Sequence, residues 1–218
     1  LIDEHYTNSS NPTGGGVIID LGTGDGSFVY QSARQRPDCF YIGIDAQASA
    51  LEKISEKIQR KPEKGGLPNV LFIQAAVEAL PAELDGVADE IHVHFPWGSL
   101  LRAVAAGDAT VLQNLRRICA PGAWLEIVMA LDSERDYAEV ARLGLEPLTP
   151  EYLEEVLIPR YRAAGFEVLE HGVLPPSERP RLHTTWARRL RDSTNRSMTF
   201  LIARAAESYM SLCDTQKQ

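Results

Sequence analysis

Val17-Ile-Ile-Asp-Leu-Gly-Thr-Gly-Asp-Gly26 is the stretch whose reading decides the fold. A short apolar run ends in an acid, and Gly22, Gly24 and Gly26 follow at alternate positions. Such a run reads as a strand buried on both faces, as in a parallel sheet. The glycines let the chain turn where a side chain would collide with a ligand or the next helix. A second run, Cys39-Phe-Tyr-Ile-Gly-Ile-Asp45, ends in another acid about twenty residues further on, where nucleoside-binding folds keep the carboxylate for ribose hydroxyls.

Two cofactors compete for this pattern. A nicotinamide site uses G-x-G-x-x-G, because a pyrophosphate needs backbone N–H groups at a helix start. Here the spacing is G-x-G-x-G, and Asp20 stands just before the turn, where it repels a pyrophosphate and suits a cation. The ammonium and sulfonium of S-adenosylmethionine (SAM) are such cations. Spacing and acid together resemble the first motif of class I SAM-dependent methyltransferases. The bland alternative is a strand–turn–helix with no ligand.

The pattern continues outward from Val17 as a regular alternation. Strands are predicted at Val17–Leu21, Phe40–Asp45, Val70–Gln74, Ala88–Phe95 and Ala123–Met129. Helices are predicted from Gly26 to Arg36, along the Leu51, Ile54, Ile58 stripe, and over Thr110–Ile118. Two further helices are expected over Glu134–Arg142 and Pro150–Ala164. Phe166–Val173 and Ser197–Ala203 then read as a closing antiparallel pair. The alternation predicts an α/β fold with helices on both faces of a mostly parallel sheet. The resemblance of the first motif implies the Rossmann-like class I SAM-dependent methyltransferase form of it, a seven-stranded sheet with a closing antiparallel hairpin. Residues 1–16 read as a mobile lead-in, 17–206 as a single methyltransferase domain with a long basic insertion at about 174–196, and 207–218 as a tail.

Composition narrows the class further. The 218 residues are 44% hydrophobic and 24% charged, which suits one globular domain. No apolar run is long enough to span a membrane and no signal peptide is visible, so a cytoplasmic, membrane-free protein is expected. Cys39, Cys119 and Cys213 are scattered, and no disulfide or metal site is expected from them. A formal net charge of −8 argues against a general nucleic-acid binder and against DNA as a partner. Base must therefore be clustered if RNA is the target.

Ligands of open parallel sheets bind beyond the carboxyl ends of the strands. Those ends are Asp20, Asp45, Ala76-Val77-Glu78 and Phe95-Pro96-Trp97. Glu78 is placed for an adenine edge, or is simply an acid in a helix first turn. Pro96 stiffens its turn, and Trp97 directly after it is well placed to stack on a base; the alternative is a ring packed under the loop. His92 and His94 share one face of a strand. With no third ligand in view they read as sheet residues rather than metal ligands.

Base is indeed clustered. Lys53, Lys57, Arg60, Lys61 and Lys64 lie on the second helix and its following loop. Arg179, Arg181, Arg188, Arg189, Arg191, Arg196 and Arg204 lie in one segment around Trp186, opposed only by Glu178 and Asp192. A charge run is usually a solvated face, but two clusters on an acidic chain, one flanking an aromatic, point to phosphate contacts.

Asp20-Leu-Gly-Thr-Gly-Asp-Gly26, Tyr41-Ile-Gly-Ile-Asp45, Arg60-Lys-Pro-Glu-Lys-Gly-Gly-Leu67, Phe95-Pro-Trp-Gly-Ser-Leu-Leu101 and Trp186-Ala-Arg-Arg-Leu190 closely resemble the aminoglycoside-resistance methyltransferases of the kanamycin–apramycin type. These modify adenine 1408 of 16S rRNA at N1. The resemblance implies SAM as cofactor and the assembled small ribosomal subunit as partner, met by a monomer. It implies that Asp20, Gly22, Gly24, Asp45, Val77, Glu78, His94, Phe95, Pro96, Trp97, Gly98, Ser99, Thr184, Thr185 and Trp186 line the SAM pocket and its mouth. Trp97 and Trp186 would clasp a flipped adenine. Lys57, Arg60, Lys61, Lys64, Arg188, Arg189 and Arg196 would grip rRNA phosphates. The lead-in is shorter and more polar than the family's usual amino-terminal hairpin.

Three other readings stand beside it. A tRNA guanine-N7 methyltransferase shares the glycine motif and a Pro-Trp turn, but would continue into a basic run where this chain has Gly98-Ser-Leu-Leu-Arg102. A small-molecule methyltransferase would need no basic insertion. A catalytically silent SAM-binding module would need no aromatic pair.

Overall fold

The structure is a computed structural model that describes residues 15–131, 136–174 and 198–207. The strands are β1 (Val17–Leu21), β2 (Phe40–Asp45), β3 (Val70–Gln74), β4 (Ala88–His94), β5 (Cys119–Met129), β6 (Phe166–Leu174) and β7 (Met198–Ala205). They form one sheet in the order β3-β2-β1-β4-β5-β7-β6. β1 to β5 pair in parallel, and β7 runs antiparallel between β5 and β6. The chain reverses its order between β1 and β4, which opens a crevice at their carboxyl ends.

Each face of the sheet carries helices. On one face Ile19, Leu21, Ile91, Val93, Leu125 and Ile127 pack against α3 (Gly98–Ala106), α4 (Ala109–Ile118) and α6. α6 runs through Pro150–Tyr152, a π-helical stretch Leu153–Leu157 and Ile158–Ala163. On the other face Ile18, Tyr41 and Val70 pack against Val29 and Ala33 of α1 (Ser27–Gln35), with Ile58 of α2 (Ala48–Ile58) beside them. A short α5 (Tyr137–Leu143) follows β5. Among the described residues no helix is long and apolar enough to cross a membrane.

β4 stops at His94, one residue before the predicted Phe95, whose φ is positive, and β7 runs on to Ala205. Two elements differ more from the sequence reading. α3 was not predicted. Its apolar Leu101, Ala103, Val104 and Ala105 are buried against the sheet, and tertiary packing decides a short helix with a glycine at its start. β5 begins at Cys119 rather than Ala123, so it runs straight through Pro121-Gly122. The register there jumps from Ala88↔Cys119 to Glu90↔Trp124, so Pro121 sits in an irregularity where no ladder N–H is required of it. Ser197 and the start of the predicted Glu134–Arg142 helix lie outside the described residues, as do residues 1–14 of the lead-in, the insertion from 175 to 196 and residues 208–218 of the tail.

Candidate active site

The carboxyl ends of β1, β2 and β4 surround a cavity of about 520 Å³. Asp20, Gly22, Gly24, Asp45, Val77, Glu78, His94, Phe95, Pro96, Trp97, Gly98 and Ser99 all line it, together with Phe28, Gln47, Ala50 and Leu100. The strand-end positions named from the sequence are thus brought to one place.

The glycine turn is folded back onto β2. The N–H groups of Gly22 and Thr23 both donate to the Ile44 carbonyl, at 2.8 and 3.1 Å. The Gly24 N–H donates to Asp45 Oδ2 at 2.9 Å, and the Gly26 N–H to the Thr23 carbonyl at 3.0 Å. These donors are taken within the protein, so the turn is not a cradle for a pyrophosphate. Gly24 has φ +57°, and a Cβ there would meet nothing within 4 Å, which leaves its side of the turn open. Gly26 differs: a Cβ there would lie 2.7 Å from the Phe72 ring.

Asp20 is buried, 3% exposed. Burial raises its carboxyl pKa, and the neighbouring His94 pulls it partly back. Among the described residues it forms no ion pair with Lys or Arg. A carboxylate in that position is stabilised by a ligand cation, which fits the sulfonium and ammonium of SAM. Asp45 uses Oδ1 to accept from Gln47 N–H at 2.8 Å as well as Oδ2 for Gly24. Each oxygen keeps a lone pair for a ribose hydroxyl. Val77 and Glu78 occupy a 3₁₀ turn, with Val77 buried and Glu78 exposed. The amide of Asn114 on α4 donates to both of their carbonyls, at 3.0 and 3.2 Å. Asn114 escaped the sequence reading, because an Asn within an amphipathic helix carries no signal of what it faces.

The Trp97 turn follows from its neighbours. Phe95 has φ +51°, a conformation rare for a bulky residue. Its ring is anchored among Trp124, Val128, Met198, Phe200 and Ile202, and its N–H donates to the Val128 carbonyl at 2.7 Å. Pro96 is buried next to it, and Trp97 emerges 47% exposed at the cavity rim. The Glu139 carboxylate on α5 pairs with Arg142 at 2.7 Å, and Arg142 first, with a smaller contribution from the Gly98 backbone, holds that carboxyl below its usual range.

Beneath the turn lies a buried polar network. His94 Nε2 lies 2.6 Å from Glu126 Oε1, and His92 spans Glu126 at 3.4 Å and Glu90 at 3.2 Å. Arg36 reaches Glu90 at 3.3 Å, and the edge of Phe28 packs on both imidazoles. Burial lowers the His92 pKa, but its bonds to the two glutamates outweigh that and raise it to about 10. No third group beside His92 and His94 was visible in the sequence; the β4–β5 register supplies Glu126 opposite His92. The three side chains bring potential ligand atoms within 4.8 Å of one another, and in this arrangement they bond to one another.

The description "NpmA: 16S rRNA (adenine(1408)-N(1))-methyltransferase" belongs to a family whose model matches residues 3–205. The chain belongs to this 16S rRNA (adenine(1408)-N(1))-methyltransferase family. The family enzyme of Streptoalloteichus tenebrarius is 42% identical over 181 residues, 83% of this chain and 82% of its own. The crystal structure of the aminoglycoside resistance methyltransferase NpmB1 superposes with a TM-score of 0.78 at 48% identity, covering 93% of this chain and 91% of that one. A tryptophan-to-alanine mutant of the family enzyme from Catenulisporales acidiphilia, solved with the cosubstrate SAM, has a TM-score of 0.80 at 33% identity, covering 95% of this chain and 90% of its own. A tRNA (guanine-N(7)-)-methyltransferase from Enterococcus faecalis matches over 84 residues, 37% of this chain and 37% of its own, at 35% identity.

In this adenine-1408 family member the first basic cluster is divided by the fold. Arg60, Lys61 and Lys64 are exposed, whereas Lys57 is half-buried, with its Nζ 3.7 Å from the centroid of the Tyr30 ring. Arg204, grouped with the second cluster by sequence, is in β7 with its guanidinium 4.5 Å from the Trp124 ring centroid. Thr184, Thr185, Trp186, Arg188, Arg189 and Arg196 lie outside the described residues.

Proposed function

We propose that this chain transfers the methyl group of SAM to N1 of adenine 1408 in the 16S rRNA of the assembled small ribosomal subunit, and so protects the subunit from kanamycin and apramycin. The observation that carries the reading is Trp97, exposed at the rim of a cavity whose floor holds the buried Asp20 and whose side holds Asp45. SAM supplies an electrophilic methyl on a sulfonium. Asp20 draws the cationic end of the cofactor, Asp45 holds its ribose, and the Val77–Glu78 turn braced by Asn114 borders its adenine.

The chain's part in the reaction is alignment. Adenine N1 carries an in-plane lone pair and is unprotonated at neutral pH, so no general base has to act on it. Holding that nitrogen in line with the methyl group is a positioning task. Trp97 supplies one stacking face for the extruded base, and Trp186, on sequence grounds, the second. Two aromatic stacks together are of the order needed to offset the few kcal/mol of unstacking. The methylated ring is cationic, and indole faces favour a cation. Arg60, Lys61 and Lys64 form an exposed basic surface for rRNA phosphates.

Purified protein should transfer tritium from labelled SAM to small subunits and create a primer-extension stop at adenine 1408. Cells expressing the chain should resist kanamycin and apramycin. Transfer to free tRNA with no label on the subunit overturns this reading.

A further inference from the structure

We propose that Tyr30 is a positioning residue for RNA docking: it holds the basic loop after α2 in the shape that meets the phosphates. The inference rests on the rRNA-docking reading above.

Tyr30 belongs to α1, on a different segment from the loop, and is itself buried at 8% exposure. It nevertheless contacts the loop at both ends. Its hydroxyl donates to the Gly65 carbonyl at 3.0 Å, and its ring lies under the Lys57 ammonium at 3.7 Å. Lys57 is in the last turn of α2, where the loop begins, and Gly65 is where it turns back toward β3. One phenol therefore pins the start and the finish of the segment that carries Arg60, Lys61 and Lys64.

Between the pins the loop is closed on itself. Lys64 N–H donates to the Lys61 carbonyl at 2.8 Å, Gly65 N–H to Pro62 at 3.0 Å, Gly66 N–H to Lys61 at 3.1 Å and Leu67 N–H to Ile58 at 3.0 Å. A Cβ on Gly66 would fall 1.6 Å from the Arg60 carbonyl oxygen, and one on Gly65 would fall 2.9 Å from the Tyr30 hydroxyl. The backbone is thus packed against both itself and Tyr30. Among the described residues, Arg60, Lys61 and Lys64 make no ion pair within the protein. Their charges are displayed outward from a loop already ordered, which lowers the ordering cost of docking.

This division of labour has a distinctive signature. A residue that meets a phosphate sets the salt dependence of binding, about one unit of the log–log slope per contact. A residue that only positions the loop changes affinity and leaves the slope alone. The experiment measures binding of the full chain to purified small subunits over a salt series, with SAM affinity by calorimetry on the same samples. Tyr30→Phe removes only the bond to Gly65 and should weaken subunit binding roughly threefold to tenfold; Tyr30→Leu, which also removes the ring under Lys57, should weaken it further. Both should keep the wild-type salt slope and SAM affinity. Lys64→Gln, as the reference, should lower the slope by about one. Unchanged subunit affinity in both Tyr30 variants, a reduced slope in either, or a parallel loss of SAM affinity overturns the proposal. If Tyr30→Leu fails to fold, Tyr30→Phe decides alone. Wild-type protein that does not bind the subunit removes the docking reading itself, whereas wild-type binding with indifferent Tyr30 variants removes only the role of Tyr30.

Discussion

Asp45 Oδ2 accepts a hydrogen bond from the backbone N–H of Gly24 at 2.9 Å, which ties the tip of the glycine turn to the end of β2. One carboxylate therefore shapes the turn and lines the cavity proposed for the cofactor. Asp45→Ala removes both functions. Hydrogen bonds to a charged acceptor contribute about 1.5–3 kcal/mol, so SAM affinity should fall about 10- to 100-fold in calorimetry. Asp45→Asn, which keeps two acceptor lone pairs, should lose less. Equal losses in the two variants would count against this dual role.

Gly24 and Gly26 separate binding from folding. Both have positive φ, so either alanine carries a backbone cost of about 1–2 kcal/mol. At Gly26 the added methyl also meets the Phe72 ring at 2.7 Å, so Gly26→Ala should lower Tm by more than Gly24→Ala. Gly24 lines the cavity and its added methyl meets nothing within 4 Å, so Gly24→Ala should lose SAM affinity out of proportion to its Tm. Thermal melts with and without SAM make the comparison.

Trp97 is half exposed and contributes little to the core. Trp97→Ala should change stability by no more than about 0.5 kcal/mol and leave SAM binding largely intact. Methyl transfer to small subunits and kanamycin resistance should be abolished, and Trp97→Phe should restore part of both by keeping a stacking face. Full activity in Trp97→Ala would remove the tryptophan from the target-base site.

The Glu126–His92 pair should leave a mark on stability against pH. His92 is raised from 6.5 to about 10, with the bonds to Glu126 and Glu90 outweighing burial, and Glu126 is lowered far below 4.5 by its bonds from His92 and His94 against the opposing effect of burial. A raised histidine contributes fully below its unfolded value and loses that contribution as pH climbs through about 10; a lowered glutamate contributes above its unfolded value and loses it on acidification. Both contributions are complete between about pH 5 and 6.5. Breaking a buried pair there costs about 3 kcal/mol, so Glu126→Gln should lower Tm by roughly 6 to 12 °C. The gap between variant and wild type should narrow towards pH 10 and below pH 4. A gap independent of pH would show that the pair is not ionised.

Much of the fold was legible in the chain because its signals are local. Apolar runs bounded by glycine, proline and acids set β1, β2 and β3 to the residue. α3 escaped because its buried face has meaning only against the sheet it covers, and the early start of β5 escaped because a proline reads locally as a stop. Within the site, the strand-end acids and the Pro96-Trp97 turn were readable, since a parallel sheet places its ligands at those ends. Asn114 was not, since its partners Val77 and Glu78 are distant in sequence.

The amino-acid sequence by itself determined a parallel α/β sheet, a glycine turn behind an acid at Asp20–Gly26, and an aromatic just past the end of β4. Only the tertiary structure decided how those pieces are held. Strand register set Glu126 opposite His92. The packing of α1 beside the loop after α2 brought Tyr30 to Lys57 and Gly65. Those contacts join segments remote along the chain, and which side chains meet depends on register and helix rotation, which no local pattern encodes.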